Sequence, residues 1–239
     1  MKKALKDKNV YVSETKHARD DSRKMLGEFY RKVLHNTVLW DRFDSLVKRI
    51  KDAKKAGANI PRLTCGEFQF CTSLVLTVPI AYNLKRSGNL TQLPLESTKS
   101  ALHDALAAYQ RENPKSSISS LDRRVDLTKC VAAVFDITAS RKKNEVETFC
   151  VLHPKHIRAM LQYSEYIRKY CPLEPTTDTF FLNSRGQPLG DYVCRFVDRI
   201  GRAAKIKGLK VSTLRSLVET ENFLMKSKAA AKVDTTGSL

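Results

Sequence analysis

Residues 68–95 read FQFCTSLVLTVPIAYNLKRSGNLTQLPL, and the reading of this stretch decides the fold. Phe68, Phe70, Leu74, Val75, Leu76 and Val78 leave almost no polar face, which predicts a helix buried on most of its sides. Thr64-Cys65-Gly66-Glu67, just upstream, has the form of a capping box, in which the hydroxyl and the carboxylate each accept from an orphan amide. Pro79 lacks an N–H and crowds the preceding turn, so a kink or a division of the helix is expected there. The run then delivers Lys85 and Arg86 to the turn Ser87-Gly88-Asn89. Taken alone, an arginine at that place reads as a charge facing the helix dipole; the rest of the chain adds a second reading, a cation held for an anionic ligand.

Working upstream, Leu26, Phe29, Tyr30, Val33, Leu34, Trp40, Phe43, Leu46, Val47 and Ile50 recur at three and four between Ser22 and Lys55. That is an amphipathic helix, with a break expected near His35-Asn36. Its other face carries Arg31, Lys32, Arg42, Lys48, Arg49, Lys51, Lys54 and Lys55, readable equally as a solvated face or a phosphate-contacting one. Gly57 and Pro61 end the segment, and the polar, basic residues 1 to about 20 read as frayed.

Downstream, Thr98 to Asn113 is helical in composition and stops at Pro114. The serine-rich PKSSISSLDRR reads as a loop or a short helical turn. VAAVFDIT and VETFCVL are β-rich runs around ASRKKN, which predicts a hairpin with a basic tip at Arg141, Lys142 and Lys143. His153-Pro154 opens another helix with proline at its first position, on which Ile157, Met160, Leu161, Ile167 and Tyr170 share one face. Thr179-Phe180-Phe181-Leu182 reads as a short strand, Asn183-Ser184-Arg185-Gly186 as a turn, and Leu189 to Ile206 as a helix. From Arg195 to Arg215 there are seven Arg/Lys and one Asp, the densest local positive excess. The tail from Ser216 starts helical and dissolves into VDTTGSL. The fold class expected is mainly α with a small β-hairpin, an α+β domain with an N-terminal helical arm.

Charge narrows the partner. Forty-three Lys+Arg against 25 Asp+Glu give a net charge of +18, which favours a polyanion, nucleic acid before a membrane surface. No run of eighteen apolar residues occurs, so no transmembrane helix and no membrane partner is expected. The opening residues have no apolar h-region, unlike a secretory signal. Six cysteines are scattered without a CxxC, which reads as reduced thiols in an intracellular protein. Neither Cys nor His clusters at ligand spacing, so no metal and no cofactor is expected. Walker, GxGxxG, HExxH and GxSxG motifs are all absent.

The order of parts is a buried helix ending in arginine, a helix, a hairpin with a lysine-rich tip, a helix, a strand-turn-helix and a basic loop ending in x-x-x-Arg. This order resembles the catalytic domain of tyrosine recombinases (integrases), particularly the divergent transposon-derived, crypton-like kind. Arg86-Ser87-Gly88-Asn89-Leu90-Thr91-Gln92-Leu93 resembles the family's Arg-x-x-Glu-Leu-x-x-Leu motif, with Asn89 in the glutamate position. Lys142 or Lys143 fits the family's hairpin lysine, and the sequence does not choose between them. FFLNSRGQPL and the helix after it resemble the lead-in to the family's His-x-x-Arg box, which here reads Ser212-Thr213-Leu214-Arg215. The resemblance covers roughly residues 60 to 225.

That resemblance implies a chemistry and also a gap in it. In the family two arginines clamp a DNA phosphodiester with bidentate, charge-assisted contacts, a lysine and a histidine move protons, and a tyrosine forms the covalent link. Here Arg86, Lys142 or Lys143, and Arg215 stand in matching places, Ser212 replaces the histidine, and no Tyr or His follows Arg215. Tyr163, Tyr166, Tyr170 and Tyr192 precede the second arginine and read as packing or amphipathic surface residues. The expectation is a catalytically inactive, recombinase-like domain binding duplex DNA with little sequence preference, with a homo-oligomer on DNA as one arrangement open to it. Its expected place is the nucleus. The DNA-contacting residues implied are Lys85, Arg86, Arg141, Lys142, Lys143, Arg195, Arg199, Arg202, Lys205, Lys207, Lys210 and Arg215. The expected division is a basic helical segment over 1–60, a truncated recombinase-like domain over 61–228 and a disordered tail over 229–239. Two other readings stay open: an active recombinase whose tyrosine comes from a partner chain or a further C-terminal exon, and a basic helical protein–protein adaptor.

Overall fold

The computed structural model describes residues 24–83, 90–118, 129–136, 147–190, 193–209 and 211. In chain order these form α1 (residues 24–29, continued by the π-helical turn Tyr30–Leu34), α2 (Thr37–Lys55), α3 (Cys65–Asn83) and α4 (Leu95–Glu112). The strands β1 (Val131–Asp136) and β2 (Glu147–Leu152) follow, then α5 (Pro154–Gln162), running on through turns Tyr163–Ile167 and Arg168–Tyr170, and finally α6 (Val193–Ala203). The fold is mainly helical with one small antiparallel sheet, an α+β arrangement.

At the centre lies α3. All ten residues 71–80 are buried, including Thr72, Ser73 and Thr77, whose hydroxyls bond Tyr163 Oη and the carbonyls of Gln69 and Ser73. Its start is the expected capping box: Thr64 N donates to Glu67 Oε2 at 2.9 Å and Glu67 N donates to Thr64 Oγ1 at 3.2 Å. Pro79 does not divide it, and the helix runs on to Asn83. A proline inside a helix costs about 3 kcal/mol. Each buried aliphatic side chain returns about 1.5–3 kcal/mol, and Leu74, Val75, Leu76, Val78 and Ile80 are all at 0% exposure. Burial outweighs the lost hydrogen bond.

The break at His35-Asn36 is present and has a cause. Asn36 caps α2, its Oδ1 accepting from Leu39 N at 3.1 Å, while Trp40 Nε1 donates to the carbonyls of Val33 and Leu34 in the π-helical turn. The apolar face read from the sequence is buried throughout, apart from Tyr30, which is half-buried. Gly57, at φ +63°, turns the chain after α2.

The hairpin pairs Val131 with Leu152 through to Asp136 with Glu147. Ala133, Phe135, Cys150 and Leu152 face the core while Val134 and Val151 face out. β1 lies on α4 and β2 on α3. α4 starts at Leu95 rather than Thr98, with Leu95 N bonded to Asp178 O. The expected strand Thr179–Leu182 is corrected: Thr179 and Leu182 form only isolated bridges, to Pro94 and Pro188. At the first bridge Leu95 N donates to Asp178 O and Phe180 N to Leu93 O, but the facing chain turns into α4 at Leu95, so no longer ladder forms there. The last helix is described over Val193–Ala203, and it ends before the expected Ile206 because a capping turn closes it.

One hydrophobic cluster runs from Phe29 to Val211 and draws residues from both sides of the 60/61 boundary. Among the described residues no helix is long and apolar enough to cross a membrane. The hairpin tip and the tail from Ser212 lie outside the described residues.

Candidate nucleic-acid interface

The clearest cationic site among the described residues is assembled from a turn, a helix and the start of α3. In the turn, Asn183 Oδ1 accepts from Arg185 N at 2.8 Å and from Gln187 N at 3.3 Å, while Gly186 N donates to Asn183 O. Gly186 sits at φ +74°, and a Cβ there would lie 2.2 Å from the Glu174 carbonyl oxygen. Only glycine fits that approach. Gln69 Nε2 donates to Ser184 Oγ at 3.0 Å, which ties the turn to the first turn of α3.

α6 supplies the other wall. Val193, Phe196, Val197, Ile200 and Gly201 are its buried positions, at i, i+3, i+4, i+7 and i+8. The remaining face carries Arg195, Asp198, Arg199 and Arg202, and Arg202 pairs with Asp198 at 2.8 Å. Gly201 lets Leu209 close onto the helix, since a Cβ there would meet Leu209 Cβ at 2.9 Å. The helix ends in a Schellman arrangement: Ile206 N donates to Gly201 O and Lys205 N to Arg202 O. Lys205 takes the left-handed position at φ 54°, where glycine is usual, and so holds an exposed ammonium next to the helix end at a backbone cost. Lys207 is also exposed.

Between turn and helix lies a groove of about 260 Å³. Three arginines line it, Arg185, Arg195 and Arg199, with the carboxamides of Gln69, Asn183 and Gln187, Ser184 and one edge of Phe196. No carboxylate lines it among the described residues. The Arg199 guanidinium lies 5.6 Å from the Phe196 ring centre, and its pKa is lowered by desolvation and then by neighbouring Arg202. Such a groove disfavours its own charges when empty and gains from an anion that neutralises them. Guanidinium forks and amide N–H groups together match the oxygens of a phosphate.

Of the residues expected to contact DNA, Arg195, Arg199, Arg202, Lys205 and Lys207 thus fall on one helix and the turn that closes it. Lys85, Arg86, Arg141, Lys142, Lys143, Lys210, Ser212 and Arg215 lie outside the described residues. Arg185 and Gln69 have no signal as site residues in the sequence; the Asn-Ser-Arg-Gly turn is legible there, but its position against α3 is not.

Tyr163 is a core residue. Its ring packs on Phe68, Phe180 and Phe181, its hydroxyl bonds Thr72 Oγ1 and accepts from Leu182 N, and burial pushes its pKa up. Tyr166 lies under Lys51 Nζ at 4.7 Å, and Tyr192 is outside the described residues. On the α1–α2 face several cations serve packing: Arg42 stacks over Phe70 at 4.3 Å, Arg49 pairs with Glu67 at 3.0 Å and Lys32 with Glu28 at 3.3 Å. Among the described residues no group of three or more His, Cys, Asp or Glu is placed to hold a metal ion. No family model, no curated protein and no solved structure matches the chain.

Proposed function

We propose that this chain binds duplex DNA by contacting the phosphate backbone, as a catalytically inactive domain of tyrosine-recombinase type. The observation that carries the DNA reading is the groove lined by Arg185, Arg195 and Arg199 beside the cationic face of α6, in a chain of net charge +18. Phosphate contacts need only Lys and Arg arrayed on a surface and supply most non-specific affinity. The recombinase type is supported by the order of Arg86, Lys142 or Lys143, and Arg215 along the sequence, and the inactive state by Ser212 in the place of the family's histidine. A nuclear location is part of the same proposal.

Three measurements test it. If about six phosphates are neutralised, log K for duplex DNA falls against log salt with a slope near −5. Replacing Arg195, Arg199 and Arg202 by Glu lowers affinity across all sequences while circular dichroism stays native. Affinity that ignores salt, or survives this triple change, ends the DNA reading. On a nicked suicide substrate no covalent adduct is expected; one mapped to any tyrosine of this chain would show that a nucleophile is present after all.

A further inference from the structure

A second cationic cleft lies between α2 and α5, away from the α6 groove in sequence and in its lining residues. It has a volume of about 430 Å³. Lys48, Lys51 and Lys55 stand at i, i+3 and i+7 on α2 and so share one face. Lys155 and Arg158, at i and i+3 in the first turns of α5, face the same space. The positive end of the α5 dipole adds to this side. The floor is formed by the rings of Trp40 and His156, 5.1 Å apart and each 1% exposed.

Five cations thus meet two carboxylates, Asp44 and Asp52, among the described residues. Among the described residues, no carboxylate lies within ion-pair distance of Lys48, Lys55 or Arg158, all three of which are exposed. Lys51 is held in place by its stack on Tyr166. A solvated face places its cations apart from one another; here two helices far apart in sequence aim theirs into one concavity. The volume lies in the range of small-ligand sites and is too small to admit a duplex. The two aspartates set a threshold: an anion of one charge gains little, and one carrying several charges neutralises the surplus. Arg158 brings the planar fork suited to phosphoryl oxygens, and the lysines bring point charges around it.

We propose that this cleft binds a compact polyphosphate, a small molecule bearing three or more negative charges on phosphoryl groups, independently of duplex DNA. The test is calorimetric titration of the full chain at low salt with sodium tripolyphosphate, with orthophosphate and single-stranded oligo(dT) as separate arms. Tripolyphosphate binds one per chain, with orthophosphate and, per phosphate, oligo(dT) weaker. Changing Lys48, Lys55 and Arg158 to Gln, all at exposed positions, weakens tripolyphosphate on the order of tenfold, as expected for three solvent-exposed ion pairs. Asp52→Asn tightens it, a gain that misfolding does not produce. Arg199→Glu with Arg202→Glu leaves it unchanged. The proposal is overturned if the triple Gln variant binds tripolyphosphate as the parent does, if Asp52→Asn fails to tighten it, or if oligo(dT) binds the cleft more tightly per phosphate. It is equally overturned if the triple variant loses duplex binding as severely as the α6 variant, because the cleft then belongs to the DNA surface.

Discussion

α3 and α6 are helices of opposite construction, although they pack against each other. α3 is apolar all round and has ten consecutive buried residues; α6 buries one stripe and gives the rest of its surface to arginine. The sheet, α5 and α6 all organise around α3, which leaves α3 no described surface for a ligand over residues 71–80. Stability and the proposed binding are thereby assigned to different helices, one supplying the core and the other the cations. Each change below strains that division at a different point.

The largest effect is expected at Leu74, fully buried in the middle of α3. Leu74→Ala lowers unfolding free energy by about 2–5 kcal/mol, read from urea denaturation. Arg195→Glu on the exposed face of α6 stays within about 0.5 kcal/mol while weakening DNA binding. Similar destabilisation by the two changes would erase the distinction.

Next comes Tyr163, whose hydroxyl joins α3 to the 180–182 segment through Thr72 and Leu182. Tyr163→Phe strands two buried partners and costs about 1–3 kcal/mol, with no loss of DNA affinity at matched folded fraction. A selective loss of DNA chemistry or binding would move this tyrosine from the core to the function.

At the start of α3, Glu67→Gln weakens the capping box and the Arg49 pair, by about 1 kcal/mol, at neutral pH. The carboxyl is held below its ordinary 4.5 chiefly by the hydrogen bond from Arg49, and then by those from Thr64. A depressed carboxyl contributes stability above its unfolded pKa and loses it as pH falls through the folded value. The gap between wild type and Glu67→Gln therefore closes as pH is lowered from about 6 to about 3. A gap that stays constant over that range would show that charge has no part in it.

The smallest effect is at the other helix end. Lys205→Gly relieves a left-handed residue and raises stability by about 0.5–1 kcal/mol, while DNA affinity falls. Opposite signs in the two readouts would show that the backbone strain is tolerated for the sake of the cation. A gain in both would make Lys205 an ordinary capping imperfection.

Much of the fold is legible because its signals are local. Asn36 before a periodic apolar run marks a helix start, Thr64 and Glu67 mark another, and the stripe from Leu26 to Ile50 needs only its own spacing to be read. At Pro79 burial around α3 keeps the helix undivided, and Thr179–Leu182 misleads because local propensity points to a strand whereas the chain facing it turns into α4 at Leu95. The arginine groove is half legible. Arg195 and Arg199 declare themselves on a basic amphipathic helix, but Gln69 and Ser184 meet across 115 residues, a contact for which one sequence carries no signal. The motif residues Arg86, Lys142, Lys143 and Arg215 lie outside the described residues.

The reach of α3 across the chain has a consequence during synthesis. Its partners come late: Thr72 waits for Tyr163 and Gln69 for Ser184, separations of 91 and 115 residues. At about 5–20 residues per second, a growing chain takes roughly 5–20 seconds to add those residues. Throughout that interval the most apolar helix of the protein has left the ribosome without the surfaces that will cover it. A nascent chain halted near residue 150 should therefore recruit holding chaperones or aggregate, and one extended past residue 211 should release them.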